Sequence, residues 1–269
     1  MRQQSSLARL LATAALTAIL AAGLGGCQTM SDITGSLSSK PEASSEANSH
    51  RAAEIYGERY RSDPKNAEAA LAYGQALRAS GQRSQAAAVL EQATIAHPSD
   101  KPLLAAYGRA LADNGNFQQA FDVLSRAHSP DNPDWRILSV QGAALDQLGR
   151  HEDARRYYAS ALKIVPDEPS VLSNLGLSYV LSKNLPKAEE VLRQAYATGR
   201  ADARVRQNLA LAIGLQGRFA EAEQIVRADL PAEEAAANVA YLKQMLNRKD
   251  EPRTGAVAKM PIASLNRPE

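Results

Sequence analysis

The feature that most constrains this chain is a period. Gly74, Gly108, Gly142 and Gly176 are spaced 34 residues apart, and one further step lands on Ala210, another small residue. Twelve residues after these lie Ala86, Ala120, Ala154, Ala188 and Ala222, and four residues further on come Leu90, Leu124, Tyr158, Leu192 and Val226. Ala93, Ala127, Ala161 and Ala195 follow at the next turn, and Asp229 breaks that series. A unit of this size cannot bury its own apolar face, so several must stack on one another.

The positions inside one unit describe two antiparallel helices, A and B. Gly or Ala where A crosses B lets the backbones approach closely. Leu77, Leu111, Leu145, Tyr179 and Ile213 are the larger residues that fill the space between units. Gly81, Gly115, Gly149 and Gly217 fall just after helix A, where a left-handed residue ends a helix. Pro98, Pro166 and the nearby Pro133 and Pro231 close units, because Pro cannot extend the hydrogen-bond ladder. Composition agrees. Hydrophobic residues are 45% of the chain and aromatics only 5%, and the apolar share is mainly Ala and Leu. That favours helix and argues against a large sheet.

The pattern resembles the tetratricopeptide repeat (TPR). The resemblance implies an all-α fold: a right-handed TPR solenoid of about five helix-pair repeats, at 67–100, 101–134, 135–168, 169–202 and 203–236. Helix A takes about the first 14 residues of each repeat and helix B about residues 18–31. Residues 49–66 hold Ala52, Tyr56 and Pro64 in helix-B phase and read as an N-terminal half repeat. Residues 231–247 overlap the fifth repeat and read as a capping helix, with Ala240, Leu242 and Leu246 to cover the last unit. Residues 248–269 read as a disordered tail. The fourth repeat lacks the Gly between its helices, so Asn184 is expected to take the turn, and Gly199 substitutes for its closing Pro. The first helix-A position that often holds Trp is Ala70, Leu104, Leu138, Leu172 and Arg206 here, while Trp135 opens the third repeat.

The N-terminus carries different information. Arg2 and Arg9 make a positive segment without acidic residues, and an Ala- and Leu-rich stretch follows that is too short to span a bilayer. It runs into Leu24-Gly25-Gly26-Cys27, which resembles the bacterial lipobox, and Cys27 is the only Cys in the chain. Residues 1–26 therefore read as a lipoprotein signal peptide and 27–48 as a flexible Ser-rich tether. The resemblance implies that Cys27 is the lipid attachment site, carrying enough acyl chains to anchor stably. Gln28 follows the Cys where an Asp would signal inner-membrane retention. The expected location is the periplasmic face of the outer membrane. Taking Arg2 and Arg9 from the 31 basic residues leaves 29, against 29 acidic ones. A neutral mature chain is not a nucleic-acid binder by its charge.

Nothing in the sequence assembles a catalytic set. His50, His97, His128 and His151 are isolated, no paired Cys or HExxH exists, and no Gly-rich phosphate loop is present. Glu189-Glu190 and Glu233-Glu234 read as solvated helix faces rather than paired catalytic carboxylates. The expectation is no enzyme, no metal, no small-molecule substrate and no cofactor beyond the covalent lipid.

TPR proteins bind peptides on the face lined by their A helices. Carrying the usual groove positions onto this sequence gives Gln75, Arg78, Arg109, Asp113, Asp146, Asn174, Leu177, Val180, Asn208 and Leu211. The set is charged at its N-terminal end and aliphatic at its C-terminal end. The expected reading has Leu177, Val180 and Leu211 as apolar anchors, and Arg78 and Arg109 selecting acidic groups. The layout as a whole, with the terminal Asn238-Val239-Ala240-Tyr241-Leu242-Lys243-Gln244-Met245, resembles TadD, the TPR lipoprotein of Tad/Flp pilus systems. That resemblance implies a pilotin-like factor whose partners are the outer-membrane secretin and other pilus assembly proteins. The alternatives are a TPR lipoprotein of β-barrel assembly or of a type IV pilus, or an adaptor recruiting murein hydrolases.

Overall fold

The computed structural model describes residues 43–250, and the described side chains are those of residues 47–247. The lipobox with Cys27, most of the tether and most of the tail lie outside the described residues. Among the described residues twelve helices follow one another. They are α1 (Ala43–Ser62), α2 (Ala67–Ala79), α3 (Arg83–Ala96), α4 (Lys101–Asp113), α5 (Phe117–Ala127) and α6 (Trp135–Gln147), then α7 (His151–Ile164), α8 (Pro169–Leu181), α9 (Leu185–Ala197), α10 (Ala203–Gly214), α11 (Phe219–Val226) and α12 (Ala232–Asp250). No β-strand forms among the described residues; one isolated bridge joins Ser129 to Asn132. The all-α solenoid of helix pairs expected from the period is what the chain adopts. Helices α2, α4, α6, α8 and α10 are the A helices, and α3, α5, α7, α9 and α11 are the B helices.

Each A helix starts at a side-chain cap. Asn66, Asp100, Asp134, Glu168 and Asp202 stand immediately before α2, α4, α6, α8 and α10 and accept hydrogen bonds from backbone N–H groups of the first turn. These caps satisfy donors that a helix start leaves unpaired. They recur at the same 34-residue period as the glycines, a signal the sequence reading passed over. The turns from A to B are equally regular. The N–H groups of Gln82, Asn116, Arg150, Asn184 and Arg218 donate to the carbonyls of Leu77, Leu111, Leu145, Tyr179 and Ile213. The residue before each donor is left-handed. In the fourth repeat that residue is Lys183, with φ of 62°, and not Asn184. Asn184 instead caps α9, accepting from the Lys187 N–H at 3.3 Å.

Helix crossings explain the glycines. A Cβ built on Gly74, Gly108, Gly142 or Gly176 would stand 2.4–2.6 Å from Leu90, Leu124, Tyr158 or Leu192. Those four partners are at most 1% exposed, so the large residue of helix B occupies the space a side chain on helix A would need. In the fifth repeat Ala210 takes the glycine position and the smaller Val226 the partner position, both buried. Trp135 and Phe121 both pack on the cluster around Leu138.

Several boundaries differ from the expected ones. Helix α1 starts at Ala43, inside the stretch read as tether, because Ala43 to Ala47 contains no helix breaker and Glu46 suits a first turn. Helix α11 ends at Val226, well short of a full helix B. Pro231 ends the turn that follows, and Ala235 folds back into the core at 0% exposed. Helix α12 runs on to Asp250. Ala240, expected to cover the last repeat, is exposed; Ala235, Val239 and Leu242 do the packing.

Candidate protein-binding face

The backbone of each A helix packs closely on that of the next A helix along the array, whereas among the described residues no two successive B helices approach so closely, and α9 and α11 meet only at their side chains, where Arg193 pairs with Glu221 at 2.5 Å. The B helices therefore splay, and the A helices form the closed inner layer of the curve. That places the sequence-derived groove positions, all on A helices, on the inner face.

The N-terminal half of this face is charged. Arg78 on α2 donates from Nε to Asp113 Oδ2 on α4 at 2.6 Å, an ion pair that joins the first two repeats. Gln75 is exposed. Arg109, on α4, is half-buried and has no carboxylate within ion-pair distance among the described residues. Burial first, then the neighbouring Arg78, holds its guanidinium below the ordinary arginine value, with Arg136 adding to the effect and Asp134 and Asp113 opposing it. A half-buried cation beside two others is a place where an incoming anion gains most.

The middle of the face closes up. Asp146 is 6% exposed and is a buried hub, not a groove residue. Its Oδ2 accepts from Tyr158 OH at 2.9 Å and its Oδ1 from Ser178 Oγ at 2.8 Å, while His151 Nδ1 lies 2.8 Å from Oδ1. Burial, then the Asp146 charge, pushes the Tyr158 phenol well above its ordinary value. The carboxylate sits between hydroxyls that the array itself supplies, so no ligand reaches it.

The two asparagines are also spent internally. Asn174 Nδ2 donates to Ser139 Oγ at 3.0 Å and Asn208 Nδ2 to Ser173 Oγ at 2.9 Å, each reaching back to the preceding repeat. Asn174 is half-buried, but Asn208 is 7% exposed and Ser173 0%. The pair forms a ladder between A helices, and Asn208 is removed from the accessible set.

At the C-terminal end Leu177 and Val180 are half-buried and remain available. Leu211 is 6% exposed and is not an anchor. Helix α12 packs near it. Leu242 Cδ2 stands 2.6 Å from where a Cβ on Gly214 would lie, so α12 presses on α10 one turn beyond Leu211, on the same helix face. The accessible face therefore pairs Arg78, Arg109, Asp113 and Gln75 with Leu177 and Val180. Among the described residues no group of His, Cys, Asp or Glu could hold a metal ion, and no helix is long and apolar enough to cross a membrane.

The sequence and fold match known families over most of the described residues. The model of the anaphase-promoting complex, cyclosome, subunit 3 matches residues 46–127. Two tetratricopeptide repeat models match 126–169 with 139–203, and 203–228. No curated protein matches the chain. Among solved structures, PilW, a widely conserved type IV pilus biogenesis factor, is 20% identical, with a TM-score of 0.61 over 72% of this chain and 91% of its own. Pseudomonas aeruginosa pilF is 19% identical, with a TM-score of 0.52 over 68% of this chain and 91% of its own. The Cut9-Hcn1 assembly of the anaphase-promoting complex is 18% identical, with a TM-score of 0.59 over 75% of this chain, which spans 41% of that one. At these identities the likeness is one of fold.

Proposed function

We propose that this tetratricopeptide repeat chain is a lipid-anchored adaptor on the periplasmic face of the outer membrane. It grips a protein segment on its A-helix face and serves as a pilotin-like factor for the secretin of a Tad/Flp pilus. The observation that carries the binding part is the unpaired, half-buried Arg109 at one end of a face whose other end presents Leu177 and Val180. A segment with acidic residues followed by aliphatic ones fits that order. The anchored part rests on the lipobox-like Leu24-Gly25-Gly26-Cys27, and the pilus part on the resemblance of the layout and of residues 238–245 to TadD. The sharing of the fold with PilW and pilF is in keeping with the pilus part.

Three arms test the three parts. Crosslinked pull-down from membranes should capture the pilus secretin with the native chain, and lose it with Arg109→Glu or with Leu177→Asp combined with Val180→Asp. Unchanged capture by both variants would overturn the binding face. Recovery of β-barrel assembly proteins or murein hydrolases in place of the secretin would overturn the pilus assignment. Metabolic labelling with a fatty acid should mark the native chain and not Cys27→Ser; an unlabelled native chain would sink the anchor.

A further inference from the structure

Two carboxylates lie near Arg109, and neither pairs with it. The charges that act on it are those of Arg78, Asp134, Arg136 and Asp113. Asp134 Oδ1 accepts from the Arg136 backbone N–H at 2.7 Å and so caps α6. The Arg136 guanidinium lies 4.5 Å from the centre of the Trp135 ring. Asp113 Oδ2 accepts from Arg78 Nε at 2.6 Å. Three guanidinium groups and two carboxylates leave one positive charge unmatched, and it falls on the half-buried Arg109.

Asp113 has a choice of partners. It is the last residue of α4, at the end of a helix where an anion is least favoured, so it draws a cation. Arg109 precedes it by four residues on the same helix, a spacing at which side chains meet. Arg78 reaches it from α2. The structure gives Asp113 to Arg78, with the side chains 37% and 26% exposed.

That pair is unlike the other side-chain joints between neighbouring A helices. Further along, Asn174 donates to Ser139, Ser178 to Asp146 and Asn208 to Ser173. Among the described residues only the first joint between A helices is an ion pair, so this array does not need one to hold such helices together. The charges at the first joint do something else. They take from Arg109 the one carboxylate on its own helix face.

We propose that Arg78 is a positioning residue of the binding face: it holds Asp113 away from Arg109, and so keeps Arg109 open to one carboxylate of the partner segment. This rests on Arg109 being the polar end of the binding face, as proposed above. Arg78, expected from the sequence to select acidic groups itself, acts instead through Asp113. The unmatched charge is single, so it suits the carboxylate of an Asp or Glu side chain, which a guanidinium takes in a two-pronged pair. Helix α8, with Leu177 and Val180, lies two A-helix spacings from α4, about 16–20 Å, so about five or six extended residues separate the acid from the aliphatic anchors.

The probe is a dye-labelled peptide, acetylated and amidated, with a single Glu, a spacer of about five Gly and Ser residues and a pair of Leu; its control has Gln for Glu. Fluorescence anisotropy follows binding to the full chain in detergent. The native chain should prefer the Glu peptide. Arg78→Gln should weaken the Glu peptide about two- to fivefold, the worth of an exposed ion pair, and leave the Gln peptide alone. Adding Asp113→Asn to Arg78→Gln should restore native affinity, because Arg109 is then free again. A residue that only supported the fold, or that touched the ligand itself, could not be replaced in that way. Asp113→Asn alone should bind at least as tightly as the native chain. An Arg78→Gln chain with native affinity, a double variant that stays weak, or a weakened Asp113→Asn overturns the proposal and leaves the binding face standing. A native chain with no preference for the Glu peptide overturns both.

Discussion

At the residue scale, two breaks in the repeat pattern turn out to be one feature. In the third repeat Leu138 packs in the same cluster as Ala161, and in the fourth Leu172 packs with Ala195. In the fifth repeat those positions are Arg206 and Asp229. The structure pairs them: Arg206 Nε donates to Asp229 Oδ2 at 2.7 Å, its Nη2 to Oδ1, and its Nη1 to the Ala201 carbonyl at 2.7 Å. An apolar contact has been exchanged for a part-buried ion pair, and each residue looked aberrant only because it was read alone. Removing one partner strands the other charge. Asp229→Ala should destabilise by about 3 kcal/mol in urea unfolding, whereas Arg206→Leu with Asp229→Ala, which restores the pattern, should come within about 1 kcal/mol of the native chain. Equal losses in both variants would mean that the pair is not coupled. Lys183 is the other residue-scale departure. It holds the left-handed conformation that Gly takes at the same place in four other repeats. Lys183→Gly should therefore raise stability by about 1 kcal/mol in the same measurement; a loss would show that the Lys side chain contributes more than its backbone costs.

At the element scale, helix pairing was legible because it rests on size. A small residue facing a larger one across a crossing leaves the same mark in every unit, and five marks in phase fix both helices. Gly142→Ala would push a Cβ to 2.6 Å from the Tyr158 ring. It should cost about 1–3 kcal/mol despite the better helix propensity of Ala, since the ring is buried and held by Asp146. An unchanged melting temperature would show that the crossing has slack. The ends of elements were less legible. The tether and α1 share Ser, Ala and Glu, and composition does not mark where coil becomes helix. The short α11 follows from where Pro231 and Ala235 must go, a tertiary demand absent from local sequence. Polar joints were the least legible. Glu189, read as a solvated face, has a side chain only 15% exposed. From α9 it pairs with Arg218 in the α10–α11 turn, and also accepts from Gln216 and from Arg193 at 2.8 Å each. The Arg218 contact, more than any other, holds its carboxyl down at about 2. A carboxylate depressed in the folded state adds stability that is complete above its unfolded value near 4.5 and disappears as pH falls through about 2. The arginines face solvent, so the loss across that window should be about 1 kcal/mol. Comparing the native chain with Glu189→Gln at pH 7 and pH 3 isolates it: the native chain should lose more.

At the scale of the whole molecule, the arrangement decides how far a local change is felt. Among the described residues four apolar clusters succeed one another along the array, the first running from Ala53 on α1 through repeats one and two to Ile137, the second centred on repeat three and reaching Val171. The third and fourth lie in repeats four and five. No cluster spans the array, so cohesion depends on joints between neighbours. Asp146 is the polar part of one such joint. It belongs to α6, is bonded to Tyr158 on α7 and Ser178 on α8, and so ties the third repeat to the fourth from inside the core. The phase of Asp146 puts it on the inner layer, but phase alone does not say whether a polar side chain there faces a ligand or a neighbouring helix. Asp146→Ala leaves two buried hydroxyls without an acceptor, at a cost of about 3 kcal/mol. Because repeats contact only their neighbours, that cost should stay where it arises. Hydrogen exchange should accelerate in α6, α7 and α8, while α2 to α5 keep native protection and unfold in a separate, unshifted step. Uniform acceleration from α1 to α12 would show that the repeats unfold as one unit. It would also mean that Asp146 holds the whole array together and not one seam of it.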